Sequence, residues 1–168
     1  MFKQSKQAFT LIELLVVVLI IGILAAVAVP QYNKAILKTH YMKMKNIVKS
    51  IAVAQEVYYL ANGEYSPSFE ALDITLPPPL ESEPLKLTYS WGNCSFFYAT
   101  PRAIICEHTT SGMRYAIFFL HSVDANKGKQ RCSTSKTNAL GNKICQAESG
   151  LSQPTSTNNS TGISHYFW

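Results

Sequence analysis

The sequence predicts an α+β protein in which one long amino-terminal helix packs against a small antiparallel β-sheet. Residues 9–29 form an apolar run that a single acid, Glu13, interrupts. Residues 31–62 then place apolar side chains at steps of three and four, which is the period of an amphipathic helix. From residue 86 onwards, short stretches alternate apolar and polar residues or are continuously apolar, which is typical of strands.

The apolar run 9–29 is long enough to cross a bilayer as a helix. Its 21 residues reach about 32 Å at about 1.5 Å per residue, against roughly 30 Å for a hydrocarbon core. Lys3 and Lys6 precede the run and favour a cytoplasmic amino terminus. Glu13 is unfavourable in such a segment because its carboxylate loses hydration there, so the sequence predicts a partner and a function for it.

Two simpler interpretations of the run compete with a role in assembly. A secretory signal would be cut after Ala26-Val27-Ala28, but the run exceeds the usual apolar region of about 7–15 residues. A plain single-span anchor fits the length and the flanking lysines. Neither interpretation explains Glu13.

The helix is expected to continue to about Ala61, with Asn62-Gly63 as its stop signal. Gly22 and Pro30 are its expected points of bending, because proline removes a backbone donor and clashes with the preceding turn. Its predicted buried face consists of Ile36, Leu37, Tyr41, Met44, Ile47, Val48, Ile51, Ala52 and Tyr58. Much of the remaining surface of this part of the helix carries lysines, which are Lys34, Lys38, Lys43, Lys45 and Lys49. We interpret them as a solvated face, and contact with lipid or DNA is the alternative.

The rest of the chain is predicted to be a globular head. Residues 64–83 are expected to form a connecting loop, extended at Pro77-Pro78-Pro79 and with a short helical turn at 68–72. Pro101 is expected to interrupt or border a strand. The aromatic end, 165–168, is predicted to be a final strand, with an adhesive tip as the alternative. The remaining predictions are strands over 86–91, 94–99, 103–107 and 113–121, turns at 91–94 and 109–112, a loop over 124–150 and an exposed segment over 153–164.

The four cysteines all lie in the carboxy-terminal half, and their even number indicates disulfides formed in an oxidising compartment. Four cysteines allow three pairings. The sequential one, Cys94–Cys106 and Cys132–Cys145, closes two short loops and fits the predicted hairpins. Because Cys132 and Cys145 lie in a polar region with little core of its own, a covalent link is expected to hold that region in place.

The sequence offers no support for an enzyme, a metal site or a cofactor. It contains no G-x-S-x-G, P-loop or H-E-x-x-H pattern, and the cysteines and histidines lack zinc spacing. His40, His108, His121 and His165 are scattered and are interpreted as surface or edge residues. The net charge of +5 falls to +3 if Lys3 and Lys6 are removed with a leader, which by itself does not indicate nucleic acid.

The segment Ala8–Val18, AFTLIELLVVV, resembles the class III signal of type IV pilins and their relatives. The resemblance implies that a prepilin peptidase cuts between Ala8 and Phe9 and that Phe9 is then N-methylated. The family usually carries glycine where this chain has Ala8. Glu13 and Pro30 occupy the family's acidic and helix-kinking positions. The residue-level match covers about the first 32 residues, and the remainder is similar in layout only.

An electrostatic role for Glu13 follows from this resemblance. After cleavage, Phe9 carries an amine that is cationic near pH 7. An amine and a carboxylate attract strongly where water is excluded. The pair could form within one helix, where Phe9 and Glu13 are one turn apart. The family interpretation is a pair between neighbouring subunits that sets assembly register, and the sequence does not decide between these two geometries.

The resemblance implies four segments: a leader over 1–8, an apolar assembly helix over 9–30, an amphipathic helix half over 31–62 and a head over 63–168. The first functional hypothesis is a type IV pilus subunit for attachment, twitching motility or DNA uptake. The second is a pseudopilin of type II secretion, and the third is a membrane-anchored binding protein that never polymerises. A disulfide-bounded loop near the carboxy terminus is common in pilins, whereas major pseudopilins more often carry a calcium site, for which no acidic cluster is visible.

The partners that the resemblance implies are copies of the chain, other pilin-like subunits, the prepilin peptidase, inner-membrane assembly machinery and, before assembly, lipid. DNA is a candidate partner that no motif supports. The implied location is the bacterial inner membrane before assembly and an extracellular pilus or periplasmic pseudopilus afterwards.

Overall fold

A computed structural model describes residues 9–97 and 102–168 of the chain. The predicted leader and Pro101 lie outside the described residues. The first element is a helix of 52 residues, α1, Leu11–Asn62. The chain divides into two compact units, one that ends at Ile36 and one that runs from Leu37 to Trp168.

The first unit consists of the apolar part of α1. Its large apolar side chains from Leu11 to Val29 are between 49% and 85% exposed, so none of them packs into a core. In length and composition this helix suffices to cross a membrane, with a mean hydropathy of 3.1 in its most apolar window. A cleaved signal sequence would show the same hydropathy, so the span alone does not separate the interpretations.

The second unit begins with the amphipathic part of α1, which covers one side of the sheet. The buried residues of α1 are Tyr41, Met44, Ile47, Val48, Ile51, Ala52 and Gln55, which confirms most of the predicted face. The helix ends at Asn62, and Gly63 follows with φ +76°. The Gly63 N–H donates to the Tyr59 carbonyl at 2.8 Å, which satisfies one of the orphan acceptors of the last turn.

The sheet is antiparallel throughout, and its eight described strands are ordered β1-β2-β3-β4-β5-β6-β8-β7. The strands are β1 Glu81–Glu83, β2 Lys86–Tyr89, β3 Gly92–Phe97, β4 Ala103–His108, β5 Arg114–Phe118, β6 Gln130–Ser135, β7 Ser156–Asn158 and β8 Ile163–Phe167, and a second helix, α2, Ala139–Ser149, follows β6. The core lies between α1 and the sheet, where Tyr41 packs edge-on against Tyr115 and Phe69 stacks on Phe96. The α+β class is therefore confirmed.

The prediction of a loop over 124–150 is wrong. Strand β6 and helix α2 occupy most of it. Strand β6 is polar, yet Ser133 and Thr134 are buried, because pairing with β5 and β8 supplies its backbone partners. Helix α2 begins where the Asn138 side chain accepts from the Gly141 N–H at 2.8 Å, and ends at Gly150 in the left-handed conformation. These two caps were readable signals that the polar composition obscured.

Smaller predictions also need correction. The hairpin of β2 and β3 turns at Ser90-Trp91, since Tyr89 pairs directly with Gly92, so the turn predicted at 91–94 is wrong. Strand β5 is shorter than predicted, strand β8 begins before residue 165, and β1 lies within the predicted loop 64–83. His108 is buried, contrary to its interpretation as a surface or edge residue.

The four cysteines form two disulfides. Cys94 joins Cys106, its direct partner across β3 and β4. Cys132 of β6 joins Cys145 of α2. The sequential pairing is thus the one that the structure contains, and the second bridge fastens a helix that otherwise buries only Gly141.

The stability of the head is expected to fall as the pH is lowered from 7 towards 5.5. Burial and the neighbouring His40 ring, 4.7 Å away between centroids, hold the pKa of His108 below its ordinary value. Burial and the charges of Arg131 and Arg114 lower the pKa of His165. In the unfolded chain these two imidazoles bind protons near pH 6.5, whereas in the folded head they bind them only at lower pH. Their contribution to the free energy of unfolding is therefore complete above about pH 6.5 and is lost as the pH falls below it.

Urea unfolding of the detergent-solubilised chain, followed by the fluorescence of Trp91 and Trp168, measures this dependence. The double substitution His108→Gln/His165→Gln should flatten the slope between pH 7 and 5.5. His121→Gln is the matched control, because that side chain is exposed. An unchanged slope in the double variant would show that these two rings are not its source.

Candidate functional site

Glu13 lies in the first turn of α1 and closes a reciprocal hydrogen-bonded cap with Thr10. The Thr10 N–H and hydroxyl donate to Glu13 Oε2 at 2.8 and 2.7 Å. The Glu13 N–H in turn donates to Thr10 Oγ1 at 3.3 Å. This is a capping box, in which a Thr-x-x-Glu pattern satisfies the free donors of a helix start. Thr10 is a site residue that the sequence analysis missed, although its spacing from Glu13 was the signal.

The surroundings of Glu13 are apolar. Phe9, Ile12, Val16 and Val17 form with it a shallow depression of about 410 Å³. A carboxylate offers about four acceptor positions, and both Thr10 donors use Oε2, so Glu13 can still accept from another donor. Covering this surface with apolar side chains would remove water from the carboxylate and strengthen its attraction to a cation.

Phe9 immediately precedes the helix and is 78% exposed. In the uncut chain its nitrogen belongs to a peptide bond and carries no charge. A cationic partner for Glu13 would therefore exist at Phe9 only after cleavage on its amino side. Ala8, the other residue of the predicted cleavage site, lies outside the described residues.

Gly22 and Pro30 both lie inside the uninterrupted helix α1. Pro30 has no N–H to donate to the carbonyl one turn earlier, which weakens the helix at this point. A Cβ atom built on Gly22 would meet no atom within 4 Å. Bending at these two positions stays a prediction.

A second apolar surface lies on α1 within the second unit, on the side away from the sheet. Val53, Val57 and Leu60 follow one another at steps of four and three, and they are 65%, 62% and 80% exposed. A helix that only covers a soluble core presents polar residues there. This stripe was missed because the predicted solvated face was argued from the lysines earlier in the helix.

Among residues 9–97 and 102–168, no group of three or more His, Cys, Asp or Glu side chains could hold a metal ion. In the described residues, the Glu13 site therefore offers a capped helix start, an apolar contact surface and the carboxylate of Glu13.

Comparison with known proteins agrees with this geometry. Residues 3–29 match the family model of the prokaryotic N-terminal methylation motif. Over 79 residues the chain is 37% identical to the type II secretion system core protein G of Pseudomonas aeruginosa, covering 47% of this chain and 56% of that protein. It is 38% identical over 65 residues to the type IV major pilin protein PilA of Myxococcus xanthus, covering 39% of this chain and 30% of that protein.

A third relative is the type IV major fimbrial protein FimA of Dichelobacter nodosus, 39% identical over 67 residues, covering 40% of this chain and 43% of that protein. The alignments thus span between 30% and 56% of these three relatives' lengths. No solved structure matches the chain. The methylation motif, these relatives and the long helix packed on an antiparallel sheet together support a type IV pilin-like family for the chain.

Proposed function

We propose that the protein is a structural subunit that polymerises through α1 into a cell-surface filament of the type IV pilus class. The observation that carries the proposal is the helical segment from Leu11 to Val29, whose large apolar side chains are all about half exposed or more in the part of the chain that the structure describes. So large an apolar surface requires lipid or other protein around it. Lipid covers it before assembly, and equivalent helices of other subunits cover it in the filament.

The order of events that we propose is the one that the resemblance of the amino terminus to type IV pilins implies. The chain waits in the inner membrane with Lys3 and Lys6 on the cytoplasmic side. A prepilin peptidase cuts between Ala8 and Phe9, and the new Phe9 amine supplies a cation for Glu13. Pairing with Glu13 of a neighbouring copy sets the register of each subunit that the assembly machinery adds. Attachment, twitching motility and DNA uptake are the activities that such a filament would serve.

A periplasmic pseudopilus is the second candidate, because one of the relatives is named as a core protein of type II secretion. Shearing cells and identifying the released filaments by mass spectrometry separates the two. A surface pilus places the chain in sheared filaments of a strain that lacks the secretion machinery. A pseudopilus subunit is absent from them, and its deletion blocks secretion of exoproteins.

A membrane-anchored binding protein that never polymerises is the third hypothesis. A membrane anchor accounts for the apolar segment from Leu11 to Val29. It does not account for the exposed apolar stripe of Val53, Val57 and Leu60. Chemical cross-linking in intact cells tests it, since a pure anchor would give no ladder of multimers.

The mature protein is expected to begin with methyl-Phe9, followed by Thr10, because a cut on the cytoplasmic side leaves the whole apolar run in the product. Mass spectrometry of the intact mature chain and of its amino-terminal peptide measures this. Expression with an inactive peptidase is the control and should return residues 1–8. A mature start at Val29 or Pro30 would establish an ordinary secretory signal instead.

A further inference from the structure

The loop that joins β5 to β6, residues 119–129, exposes two large apolar side chains. Val123 is 82% exposed, and among the described residues of the second unit no large apolar side chain is more exposed. Leu120 is 58% exposed. One exposed apolar residue is ordinary on a protein surface. Two on one short loop point to a contact when the loop also has a fixed shape.

Contacts with α1 and the segment after it fix the first part of this loop. The Leu120 N–H donates to Glu56 Oε1 at 2.9 Å. The His121 N–H donates to the Tyr65 hydroxyl at 2.9 Å, and that hydroxyl donates to the Glu56 carboxylate at 3.1 Å. The His121 ring also stacks on Tyr59, with 4.4 Å between centroids. The backbone that carries Leu120 is therefore held in place before any partner binds.

Turns within the loop fix its second part. The Lys127 N–H donates to the Asp124 carbonyl at 3.1 Å, and the Lys129 N–H donates to the Asn126 carbonyl at 3.0 Å. The Asp124 carboxylate accepts from the Asn126 N–H at 2.8 Å. Gly128 has φ +74°, which side chains rarely allow. A surface that is already ordered loses less conformational entropy when it binds.

The charges on the loop are mainly positive. Lys127 and Lys129 are both exposed, and they flank Gly128. A Cβ atom built on Gly128 would lie 3.1 Å from Leu120 Cδ2, so the Leu120 side chain lies against the backbone that carries the two lysines. Asp124 is the one acid in the sequence from 119 to 129. Apolar side chains beside lysines complement the surface of an anionic bilayer, which offers an acyl boundary next to phosphates.

The loop lies far from the point where the chain enters the second unit. That unit begins at Leu37, and Glu56 is about 29 Å further along α1 at about 1.5 Å per residue. Within the unit, the loop thus lies beside the end of α1 that is opposite to Leu37.

We propose that the β5–β6 loop binds a second, anionic lipid bilayer, with Leu120 and Val123 at the acyl boundary and Lys127 and Lys129 at the headgroup phosphates. The inference goes beyond the proposed function, because a chain anchored in one membrane can contact another whether or not it polymerises. Its failure would therefore leave the proposed function untouched.

Vesicle tethering tests the contact with the full chain. The chain is reconstituted through its apolar helix into phosphatidylcholine vesicles and mixed with fluorescent acceptor vesicles, made of phosphatidylcholine alone or with an equal part of phosphatidylglycerol. Flotation measures the acceptor vesicles recovered per outward-facing head, and added protease counts those heads. Acceptors with phosphatidylglycerol should be recovered, and salt should lower their recovery. Equal recovery of both kinds of acceptor, or of neither, would overturn the proposal.

Paired lysine substitutions separate the loop from the net charge of the chain. Lys127→Gln/Lys129→Gln should lower recovery about tenfold, because each lysine near an anionic surface contributes to binding. Lys86→Gln/Lys143→Gln removes the same charge at exposed positions outside the loop and should change recovery little. Equal loss in both double variants would overturn the assignment to this loop. Urea unfolding of both should match the wild type, which shows that the head still folds.

A fluorophore on the loop distinguishes lipid from a protein surface. The native cysteines form disulfides, so Val123→Cys gives a unique thiol for a dye that brightens and shifts to the blue in apolar surroundings. Acceptors with phosphatidylglycerol should produce that shift at position 123 and leave it absent in Ala147→Cys, an exposed position on α2. Val123→Asp should abolish tethering, because a carboxylate is unfavourable at the acyl boundary. Tethering with no shift at 123, or full tethering by Val123→Asp, would overturn insertion of the loop.

Discussion

Glu13→Gln is expected to abolish or severely reduce filament assembly while leaving the chain in the membrane. The substitution removes a charge that is unfavourable among apolar residues, so membrane insertion should be unchanged or improved. It also leaves the Phe9 amine of the mature subunit without an anionic partner where water is excluded, and an unpaired charge there is strongly unfavourable. The measurement compares membrane-fraction abundance with the yield of sheared filaments in the wild type and the variant.

The capping box decides how this experiment should be controlled. A glutamine at position 13 can still accept from the Thr10 N–H, so it keeps the helix start and removes the charge alone. Glu13→Ala removes both. Equal loss of filaments in the two variants assigns the defect to charge, whereas loss in Glu13→Ala alone assigns it to the helix start. Normal filament yield from Glu13→Gln would refute the register role, whatever Glu13→Ala does.

The second large effect is expected from loss of the Cys132–Cys145 disulfide. Cys132→Ala/Cys145→Ala should lower the free energy of unfolding of the head by about 3 kcal/mol, the chain-entropy contribution of a closed loop of this size. Helix α2 should also become mobile, because Cys145 and Gly141 are its buried residues. Its remaining contacts are the partly buried Ile144 against the core and polar pairs such as the Lys45–Glu148 ion pair and the Tyr166 hydroxyl donating to Asn142 Oδ1.

Hydrogen exchange followed by mass spectrometry locates that effect. The matched control is Cys94→Ala/Cys106→Ala, which opens a loop of similar length between strands that six residue pairs already align. This control variant should lower the free energy of unfolding by a comparable amount but leave the amides of α2 protected from exchange. Full protection of α2 in the Cys132→Ala/Cys145→Ala variant would show that the remaining contacts suffice to hold the helix.

Much of the first helix could be predicted from the sequence, because its signals are local. The apolar run, the three- and four-residue period through Ile51 and the stop at Gly63 each act over one or two helical turns. The spacing of Thr10 and Glu13 is also a local signal, because a Thr-x-x-Glu pattern is recognisable as a capping box from the sequence alone. The order of the first strands could be predicted for a similar reason, because each of these hairpins joins two strands that are consecutive in the chain.

Tertiary structure alone decided the rest of the head. Strand β6 carries Ser133 and Thr134 inward, and nothing in its polar sequence separates it from a loop until β5 and β8 flank it. The burial of His108 likewise depends on the approach of His40 from α1. The sequence by itself determined a helix with apolar residues on more than one side. Only packing decided that Ile51 enters the core while Val53 and Val57 stay uncovered, because burial depends on which face meets the sheet and periodicity alone does not specify that face.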